Sequence, residues 1–386
     1  MHSAVVRYHE VALKRGNRRY FVGLLKRNLA SSVAGLGLKD IQTLEGRLLM
    51  VFNGEVNEEE VRRRVGAVFG VANFSFVEET PRDVERIKER VVESVKGRRF
   101  ESFRVQTKRA DKSFPLTSPE VNRQVGAAVK AASGARVDLA DGELTISIEI
   151  LSQHAFFGVD KIRGAGGLPV GGSGRMVSLI SGGFDSPVAA YRMMKRGGRL
   201  VFVHFHSVPY LDRTSQDKVC QLVQLLTRHQ FVSRLYLVPF GEIQREIVAV
   251  VPRPLRVVLY RRMMMRMAEA VAKREKAKAL VTGESLAQVA SQTLQNLAVI
   301  QEAARLLVLR PLVGMDKQEI VDQARQIGTF DISAIPDEDC CTLFVPKHPA
   351  TKARGRDVLN AESLIDIEAM VQAGVENAEF KEFKFP

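Results

Sequence analysis

The stretch Met176-Val-Ser-Leu-Ile-Ser-Gly-Gly-Phe-Asp-Ser-Pro-Val-Ala-Ala-Tyr191 decides the fold of the second half of the chain. Its first residues predict a buried strand, Gly182 and Gly183 predict a tight turn, and Ser186-Pro187 predicts a helix start with a serine cap. Backbone N–H groups of such a turn converge beside the positive end of the helix dipole. The stretch therefore favours binding of a phosphate or pyrophosphate, and an ordinary strand–turn–helix junction is the alternative.

The turn Ser181-Gly-Gly-Phe-Asp-Ser186 is not a Walker loop, because no Gly-Lys-Ser/Thr follows the glycines. It resembles the PP-loop of ATP pyrophosphatases, which activate a carbonyl oxygen with AMP and release pyrophosphate. The resemblance implies that ATP lies with its phosphates over the turn, cradled by Gly182, Gly183 and the following amides. Asp185 is then expected to orient Mg²⁺ or the pyrophosphate, and no other metal site is expected.

Strand and helix patterns alternate from Arg175 onwards, which predicts a doubly wound parallel sheet. The ligand crevice of such a sheet lies at the carboxyl ends of its strands. His204 and Phe205 fall at the end of the second strand, and the segment 281–293 follows the fourth. The five strands are predicted at 176–180, 200–206, 233–238, 278–282 and 306–309.

The first 77 residues read as βαββαβ, which predicts a small ferredoxin-like α+β unit. The cations Lys14, Arg15 and Arg18 stand where its first helix, predicted over 17–33, begins. Cations at a helix N-terminus oppose the dipole, so their presence suggests contact with phosphate groups. A solvated charged face is the equally open alternative.

A second unit is predicted over 80–160, with a helix starting at Thr80-Pro81, another capped by Ser118, and closing strands at 144–150 and 154–159. The loop before the second helix carries Lys108, Arg109 and Lys112 with Phe114 among them. Cations interleaved with an aromatic ring suit an RNA backbone and an unstacked base.

Composition restricts the class of protein. The 386 residues carry a net charge of +13, which fits a polyanionic partner such as RNA or merely a basic surface. The chain has no apolar run of membrane-spanning length and no signal-peptide core near its start, so we expect no membrane association. Three cysteines, two of them adjacent, form no disulfide framework and suit a reducing cytoplasm.

Three segments, Arg7–Lys14, Lys108–Asn122 and the PP-loop, occur together in an order that resembles the tRNA 4-thiouridine synthetase (tRNA sulfurtransferase) family of thiamine-biosynthesis proteins. The resemblance implies four parts: an N-terminal ferredoxin-like domain (1-78), an α/β THUMP domain that grips the tRNA acceptor end (79-163), a glycine-rich linker (164-175) and a PP-loop domain resembling adenine-nucleotide α-hydrolases (176-386). Expected tRNA-contacting residues are Lys14, Arg15, Arg18, Lys108, Arg109, Lys112, Asn122 and Arg123.

The resemblance also implies which residues bind ATP. Arg261 is preferred over its neighbour Arg262, and the methionine run 263–267 is expected to be helix core. The expected ATP-binding residues are Leu179, Ile180, Ser181, Gly182, Gly183, Asp185, Ser186, His204, Phe205, Arg261, Gly283 and Gln292.

The adjacent cysteines lie in the polar, proline-bounded segment Pro336–Pro349. No C-x-x-C occurs, which argues against a four-thiolate zinc or iron–sulfur site. The family resemblance implies that Cys340 takes part in sulfur transfer, and the spacing leaves Cys341 open as the alternative or as the resolving thiol. Cys220 is expected to be helix core.

The function that this resemblance implies is ATP-dependent transfer of sulfur to uridine 8 of tRNA, with a cysteine desulfurase as persulfide donor. Many family members end in a rhodanese domain, and this sequence stops at Pro386 without one. Sulfur transfer to a thiamine sulfur-carrier protein and homodimer formation both stay open. The rivals are a PP-loop ligase or amidotransferase that does not need the cysteines, and a tRNA-binding module with an inactive ATP site.

Overall fold

The computed structural model describes residues 3–54, 56–337, 344, 346 and 348–386. These form two compact units, Met1–Leu168 and Pro169–Pro386, which are described separately below. None of the helices in the described residues combines the length and the apolar character that crossing a bilayer demands.

The first unit contains both expected α/β parts. Its elements are β1 (Ser3–Arg7), a 3-10 helix (Glu10–Asn17), α1 (Arg18–Ser32), β2 (Leu38–Leu44), β3 (Arg47–Phe52), α2 (Glu58–Gly66), β4 (Asn73–Thr80), α3 (Val84–Val95), β5 (Ser102–Arg109), α4 (Ser118–Ser133), β6 (Arg136–Val137), β7 (Leu144–Ile150), β8 (Ala155–Gly158) and β9 (Ile162–Arg163).

One strand, β4, joins the two parts of this unit. Residues 73–77 of β4 pair with β1, and residues 78–80 pair with β8, in both cases antiparallel. The strand order is therefore continuous, β2-β3-β1-β4-β8-β7-β5-β6, with β9 also on β4. The expected βαββαβ order is present, and the sheet runs unbroken through residue 78.

Two helices of this unit differ from the sequence prediction at their N-terminal ends. One begins later than expected, and the other has a different cap residue. The helix expected from Thr80 begins at Val84, because Thr80 is still paired with Ala155 in the sheet. Asp83 caps that helix by accepting a hydrogen bond from the Arg86 amide at 3.0 Å. Helix α4 begins at Ser118 as expected, but its N-cap is the preceding residue, Thr117.

The second unit alternates strands and helices. Its elements are β10 (Arg175–Leu179), α5 (Asp185–Lys195), β11 (Arg199–His206), α6 (Thr214–Thr227), β12 (Val232–Pro239), α7 (Gly241–Val250), α8 (Arg256–Arg274), β13 (Ala279–Val281), α9 (Leu294–Gln301), β14 (Leu307–Leu309), α10 (Lys317–Ile327), α11 (Phe330–Ala334), α12 (Gly355–Glu362), α13 (Ile367–Glu376) and β15 (Glu379–Lys384).

Within the described residues this unit has one six-stranded sheet, in the order β14-β13-β10-β11-β12-β15. The first five strands are parallel, as the sequence predicts. The sixth, β15, is not among the strands predicted from the sequence, and it pairs antiparallel with β12. Four of its six residues are charged and flank Phe380 and Phe383, a composition that suits an exposed edge strand. Phe380 packs edge-to-face on Tyr236, with ring centroids 5.3 Å apart.

Helix α8 forms the centre of the core below the sheet. Met263, Met264, Met265 and Met267 are all buried there, as expected from the methionine run. The glycine-rich segment between the units is hydrogen-bonded at both ends. Gly166 donates to Val71 in the first unit at 2.8 Å, and Gly171 donates to Gly197 in the second at the same distance.

Candidate nucleotide site

The candidate site lies at the carboxyl end of β10. From this strand the chain adds β11 and β12 on one side and later β13 and β14 on the other. The point at which the direction of strand addition reverses leaves a crevice outside the strand ends, where doubly wound folds bind their ligands.

A cavity of about 160 Å³ occupies this crevice. Ten of the twelve residues expected to bind ATP line it, and Gly182 and Gly183 are the two that do not. The sequence missed Thr282 and Glu284, which flank Gly283, and it assigned two lining methionines to the core alone. The cavity is lined by Leu179, Ile180, Ser181, Asp185, Ser186, His204, Phe205, Arg261, Met264, Met265, Thr282, Gly283, Glu284, Gln292 and Ile300.

The turn after β10 is closed by its own two serines. The Ser186 hydroxyl accepts a hydrogen bond from the Ser181 amide at 2.8 Å and donates to the Ser181 carbonyl at 3.2 Å. Helix α5 already begins at Asp185, with Phe184 as its N-cap residue. The expectation that Ser186 caps this helix was therefore wrong, because its hydroxyl is used to hold the turn.

Glycine is needed in this turn for close packing. A Cβ atom on Gly182 would lie 2.5 Å from Asp337 Oδ2 and 3.0 Å from Lys218 Cδ. A Cβ atom on Gly283, in the loop after β13, would lie 2.7 Å from the Ser186 amide nitrogen. The contact at Gly283 is with backbone, so the loop after β13 can approach the turn this closely only as glycine, whereas a side chain at Gly182 would have to displace the Asp337 carboxylate.

Asp185 is held from two sides. Lys317 Nζ lies 3.0 Å from Oδ1, and Gln288 Nε2 donates to Oδ2 at 3.0 Å. Neither partner was singled out in the sequence. Among the described residues no cluster of three potential metal ligands exists. A single carboxylate beside a phosphate site is nevertheless compatible with Mg²⁺, which often takes one protein carboxylate and completes its shell with phosphates and water.

The opposite wall of the cavity is polar and buried. His204, only 1% exposed, has Nδ1 3.0 Å from the Ile180 carbonyl. Arg261 donates from Nη1 to Glu284 Oε1 at 3.2 Å. Within the described part of the chain, Arg261 Nε and Gln292 Oε1 are buried with no hydrogen-bond partner. Such atoms are costly unless a ligand satisfies them.

The neighbouring Arg262 points elsewhere. It is 2% exposed and donates to both oxygens of Glu362, at 2.7 and 2.9 Å, away from the cavity.

The expected sulfur-carrying residues Cys340 and Cys341 lie outside the described residues. Just before them, Asp337 Oδ1 accepts from Lys218 Nζ at 2.8 Å, beside the glycine turn. Just after them, the Phe344 ring packs edge-to-face on Tyr210, with centroids 6.2 Å apart.

Cys220 and His206 are the other reactive side chains near this sheet. Cys220 is half-buried, so the expectation that it belongs to the core was wrong. Its Sγ lies 3.9 Å from Lys381 Nζ, a residue of the edge strand that the sequence did not predict. Burial raises the pKa of the Cys220 thiol. Burial, together with His204, lowers the pKa of His206 to about 4.

The expected RNA-binding loop of the first unit is partly structural. Phe114 is only 6% exposed and belongs to the hydrophobic core, so it is not available to stack on a base. Arg109 donates from Nη1 to the carbonyls of Phe114 and Leu116, at 3.0 and 2.7 Å. Asn122 accepts from the Thr107 amide at 2.8 Å. These side chains shape the loop.

The remaining cations expected to contact RNA, in and beside this loop, face solvent. Lys108, Lys112 and Arg123 are exposed. The pKa of Lys108 is lowered by partial burial and by the nearby cations Lys161, Arg7 and Arg47. This clustering marks a positively charged area of the first unit.

The basic residues near the start of α1 are also at the surface. Arg15 and Arg18 are exposed, and the Arg18 guanidinium donates to the Tyr8 hydroxyl at 3.3 Å. Lys14, which is half-buried, places Nζ 5.2 Å from the centre of the Phe21 ring. Arg15 has a φ of 37° at a kink within the 3-10 helix that precedes α1.

Three family profiles match the chain in succession. The ThiI ferredoxin-like domain matches residues 3–75, the THUMP domain matches 81–160, and the thiamine biosynthesis protein (ThiI) profile matches 171–367. This chain belongs to the ThiI family.

Two relatives and one solved structure resemble the chain over nearly their whole length. A probable tRNA sulfurtransferase of Thermus thermophilus is 46% identical, over 98% of this chain and 93% of its own. One of Moorella thermoacetica is also 46% identical, over 98% and 96%. The crystal structure of a 4-thiouridine synthetase–RNA complex with bound ATP aligns with a TM-score of 0.89 and 32% identity, covering 100% of both chains.

Proposed function

We propose that this chain is a tRNA sulfurtransferase that uses ATP to convert uridine 8 of tRNA into 4-thiouridine. The observation that carries the proposal is the cavity at the end of β10, where the closed glycine turn, Asp185 and buried unsatisfied polar atoms meet. The family membership and the whole-length similarity to named tRNA sulfurtransferases support it.

In the activation step the residues of the turn bind the triphosphate. The amides of the turn and of the start of α5 would bind the phosphates, although Gly182 and Gly183 do not line the cavity itself, and Asp185 would hold Mg²⁺ together with them. Uridine O4 attacks the α-phosphorus as the N3 proton is lost, and the bond to the β-phosphate oxygen breaks. Pyrophosphate leaves, and the adenylated O4 becomes a good leaving group.

In the sulfur step Cys340 carries the sulfur and Cys341 releases the product. A cysteine desulfurase supplies a sulfane sulfur to Cys340 as a persulfide. Its terminal sulfur attacks C4, the C4–O bond breaks, and AMP leaves. The Cys341 thiolate then attacks the Cys340 sulfur, which releases 4-thiouridine and leaves a Cys340–Cys341 disulfide. An external dithiol must reduce this disulfide before the next turnover.

Chain length supports a role for these thiols at the cavity. Asp337 contacts the glycine turn, and Cys340 follows it by three residues.

The basic surfaces of the first unit are proposed to hold the tRNA. Residues 1-78 and the THUMP part (79-163) share the continuous sheet through β4, and 176-386 form the catalytic part, with 164-175 as the connection. Lys108, Lys112 and Arg123 are proposed to contact phosphates, with Lys14, Arg15 and Arg18 as a second group. Arg109 and Asn122 are proposed to act by shaping the loop.

The decisive experiment uses the full chain with ATP, Mg²⁺, an unmodified tRNA transcript, cysteine and a cysteine desulfurase. We expect 4-thiouridine absorbance and AMP to appear together. A transcript with cytidine at position 8 is the matched control and should yield neither. AMP with no dependence on the cysteines would favour a ligase or amidotransferase. RNA binding without AMP would favour an inactive binding module.

The cysteines and the loop cations need separate tests. Cys340→Ala/Cys341→Ala should abolish thiolation, and retained thiolation would refute their role. Lys108→Ala/Lys112→Ala/Arg123→Ala should weaken tRNA binding and reduce its salt dependence, because each lost phosphate contact lowers the salt slope. Unchanged tRNA affinity in that triple variant would remove these residues from the interface.

A further inference from the structure

We propose that Lys218 is a phosphate-binding cation of the nucleotide turn and that Asp337 competes with the phosphates for it. This inference rests on the proposed function, because it concerns the same ATP site. Lys218 is neither a residue that the sequence analysis selected nor one that lines the cavity. It lies on α6, behind the turn.

The burial of Lys218 requires an explanation. The residue is 3% exposed, and its Nζ donates to the Ile335 carbonyl at 2.6 Å and to Asp337 Oδ1 at 2.8 Å. An ammonium group has three N–H donors, and these two acceptors use two of them. Buried lysines are rare because removing the charge from water is costly, so they are usually paired or functional.

The position of Lys218 relates it to the glycine turn. Its Cδ and Cε atoms lie 3.0 and 3.2 Å from where a Cβ atom of Gly182 would be. The side chain thus runs against the turn that is proposed to carry the phosphates. A lysine passing so close to such a turn can offer its ammonium group to a bound anion.

The two carboxylate oxygens of Asp337 have different surroundings. Its Oδ1 is bonded to Lys218, but its Oδ2 is buried with no hydrogen-bond partner among the described residues. That unpaired oxygen would lie 2.5 Å from a Gly182 Cβ atom, so it is in contact with the turn. A carboxylate in this position repels phosphate, whereas the ammonium of Lys218 attracts it.

The charges around the turn balance without a nucleotide. Asp185 is paired with Lys317, and Asp337 is paired with Lys218. Adding a polyphosphate places several negative charges beside both carboxylates. Transferring a hydrogen bond of Lys218 from Asp337 to the phosphate satisfies the anion and leaves Asp337 to withdraw. Asp337 therefore masks the cation in the nucleotide-free protein.

Opposite effects of two substitutions test this exchange. The probe is inorganic pyrophosphate with Mg²⁺, measured by calorimetry on the full chain, together with the KM for ATP. Lys218→Met should raise the Kd for pyrophosphate about tenfold, as expected for one charge-assisted hydrogen bond. Asp337→Asn should lower that Kd about threefold or more, because it frees the ammonium and removes a repelling charge.

A conservative variant and the double variant complete the double-mutant cycle of Lys218 and Asp337. Lys218→Arg keeps the charge and should preserve most of the pyrophosphate affinity. In Lys218→Met/Asp337→Asn the gain from Asp337→Asn should shrink to the part that comes from removing the repelling charge, because no ammonium group is left to be freed. If Lys218→Met does not fold, Asp337→Asn and Lys218→Arg still give the sign of the effect.

The outcomes separate this inference from the proposed function. Weaker pyrophosphate binding in both Lys218→Met and Asp337→Asn would indicate structural damage, and it would overturn the proposed exchange of Lys218 between Asp337 and phosphate. Unchanged affinity in both, with normal binding by the wild type, would overturn the role of Lys218 alone. A wild-type chain that binds neither ATP nor pyrophosphate would overturn the proposed function.

Discussion

Arg261 and Arg262 are adjacent on α8, yet they serve different parts of the molecule. Arg261, with a quarter of its side chain exposed, reaches Glu284 on the cavity wall at 3.2 Å. Arg262 is buried and makes a two-pronged ion pair with Glu362 on α12. A helix turns by about 100° per residue, so neighbours face different surroundings. The same side chain thus becomes part of a binding site or part of the core according to the carboxylate it meets.

Glu362 and Glu284 are both bound by two arginines, but the two clusters differ in how many of their hydrogen-bonding groups have a partner. Glu362 accepts from Arg262 and Arg266, each of which contacts both of its oxygens. Although burial alone would raise the pKa of Glu362, these hydrogen bonds hold it below its usual value. Glu284 is likewise gripped by Arg261 and Arg310.

At Glu284, however, the arginines keep unused donors. In the part of the chain that the structure describes, Arg261 Nε and Arg310 Nη2 are buried without a partner. We infer that a saturated cluster stabilises the fold, whereas an unsaturated one is prepared for a ligand.

Glu362→Leu gives the largest effect that this comparison predicts. It leaves Arg262 buried without its counter-charge, which should lower the free energy of unfolding by about 3–5 kcal/mol. Denaturant unfolding monitored by circular dichroism measures it. The matched control is Glu302→Leu, because exposed Glu302 lies 3.7 Å from the same arginine and should cost less than about 1 kcal/mol. Equal losses in the two variants would break the comparison.

Arg261→Met should show the reverse behaviour. We expect kcat/KM for tRNA-dependent AMP formation to fall about a hundredfold, as for loss of one preorganised charged donor, with little change in unfolding. The measurement is AMP release at varied ATP concentration. Arg262→Met is the neighbouring control and should lose stability while the folded fraction keeps its KM for ATP. A stability loss in Arg261→Met without a change in kcat/KM would contradict the division of roles.

His206 is a half-buried ionisable group without an arginine–carboxylate cluster around it, and it tests how such a group affects stability. Its folded-state pKa of about 4 lies below the ordinary value of 6.5, so between these values the unfolded chain binds the proton more readily. Stability is therefore full above pH 6.5 and falls as the pH drops, by about 2 kcal/mol at pH 5. His206→Asn should flatten this part of the unfolding profile. An unaltered slope would show that other groups cause the acid loss.

Cys220→Ser should give the smallest effect, since it lies outside both clusters. Burial raises the pKa of the thiol, which disfavours the reactive thiolate despite the nearby Lys381. We expect the rate of 4-thiouridine formation to stay within about twofold of wild type, because a substitution outside the functional clusters usually changes a free energy by less than about 0.5 kcal/mol. A loss as large as in Cys340→Ala would instead assign a sulfur-carrying role to Cys220.

Much of the second unit was predictable, because its parallel strands are short apolar runs bounded by turns. All five strands lie within a residue or two of their predicted limits. The errors fall where a side chain has more than one use. Ser186 resembles a helix cap but holds the turn, and Phe114 resembles a stacking platform but fills the core. Local patterns carry no information about which distant partner a side chain meets.

The sequence by itself determined the order of the α/β units, the glycine turn after β10 and the membership in a family, because local periodicity and motif spacing survive without contacts. Only the tertiary structure decided that β4 continues one sheet through both N-terminal parts, that residues 379–384 form an edge strand, and that Arg262 pairs with Glu362. The tertiary structure also places Lys218 and Asp337 against Gly182, although they follow it in the sequence by 36 (218 − 182) and 155 (337 − 182) residues. Those contacts arise from packing between distant segments, which no local pattern encodes.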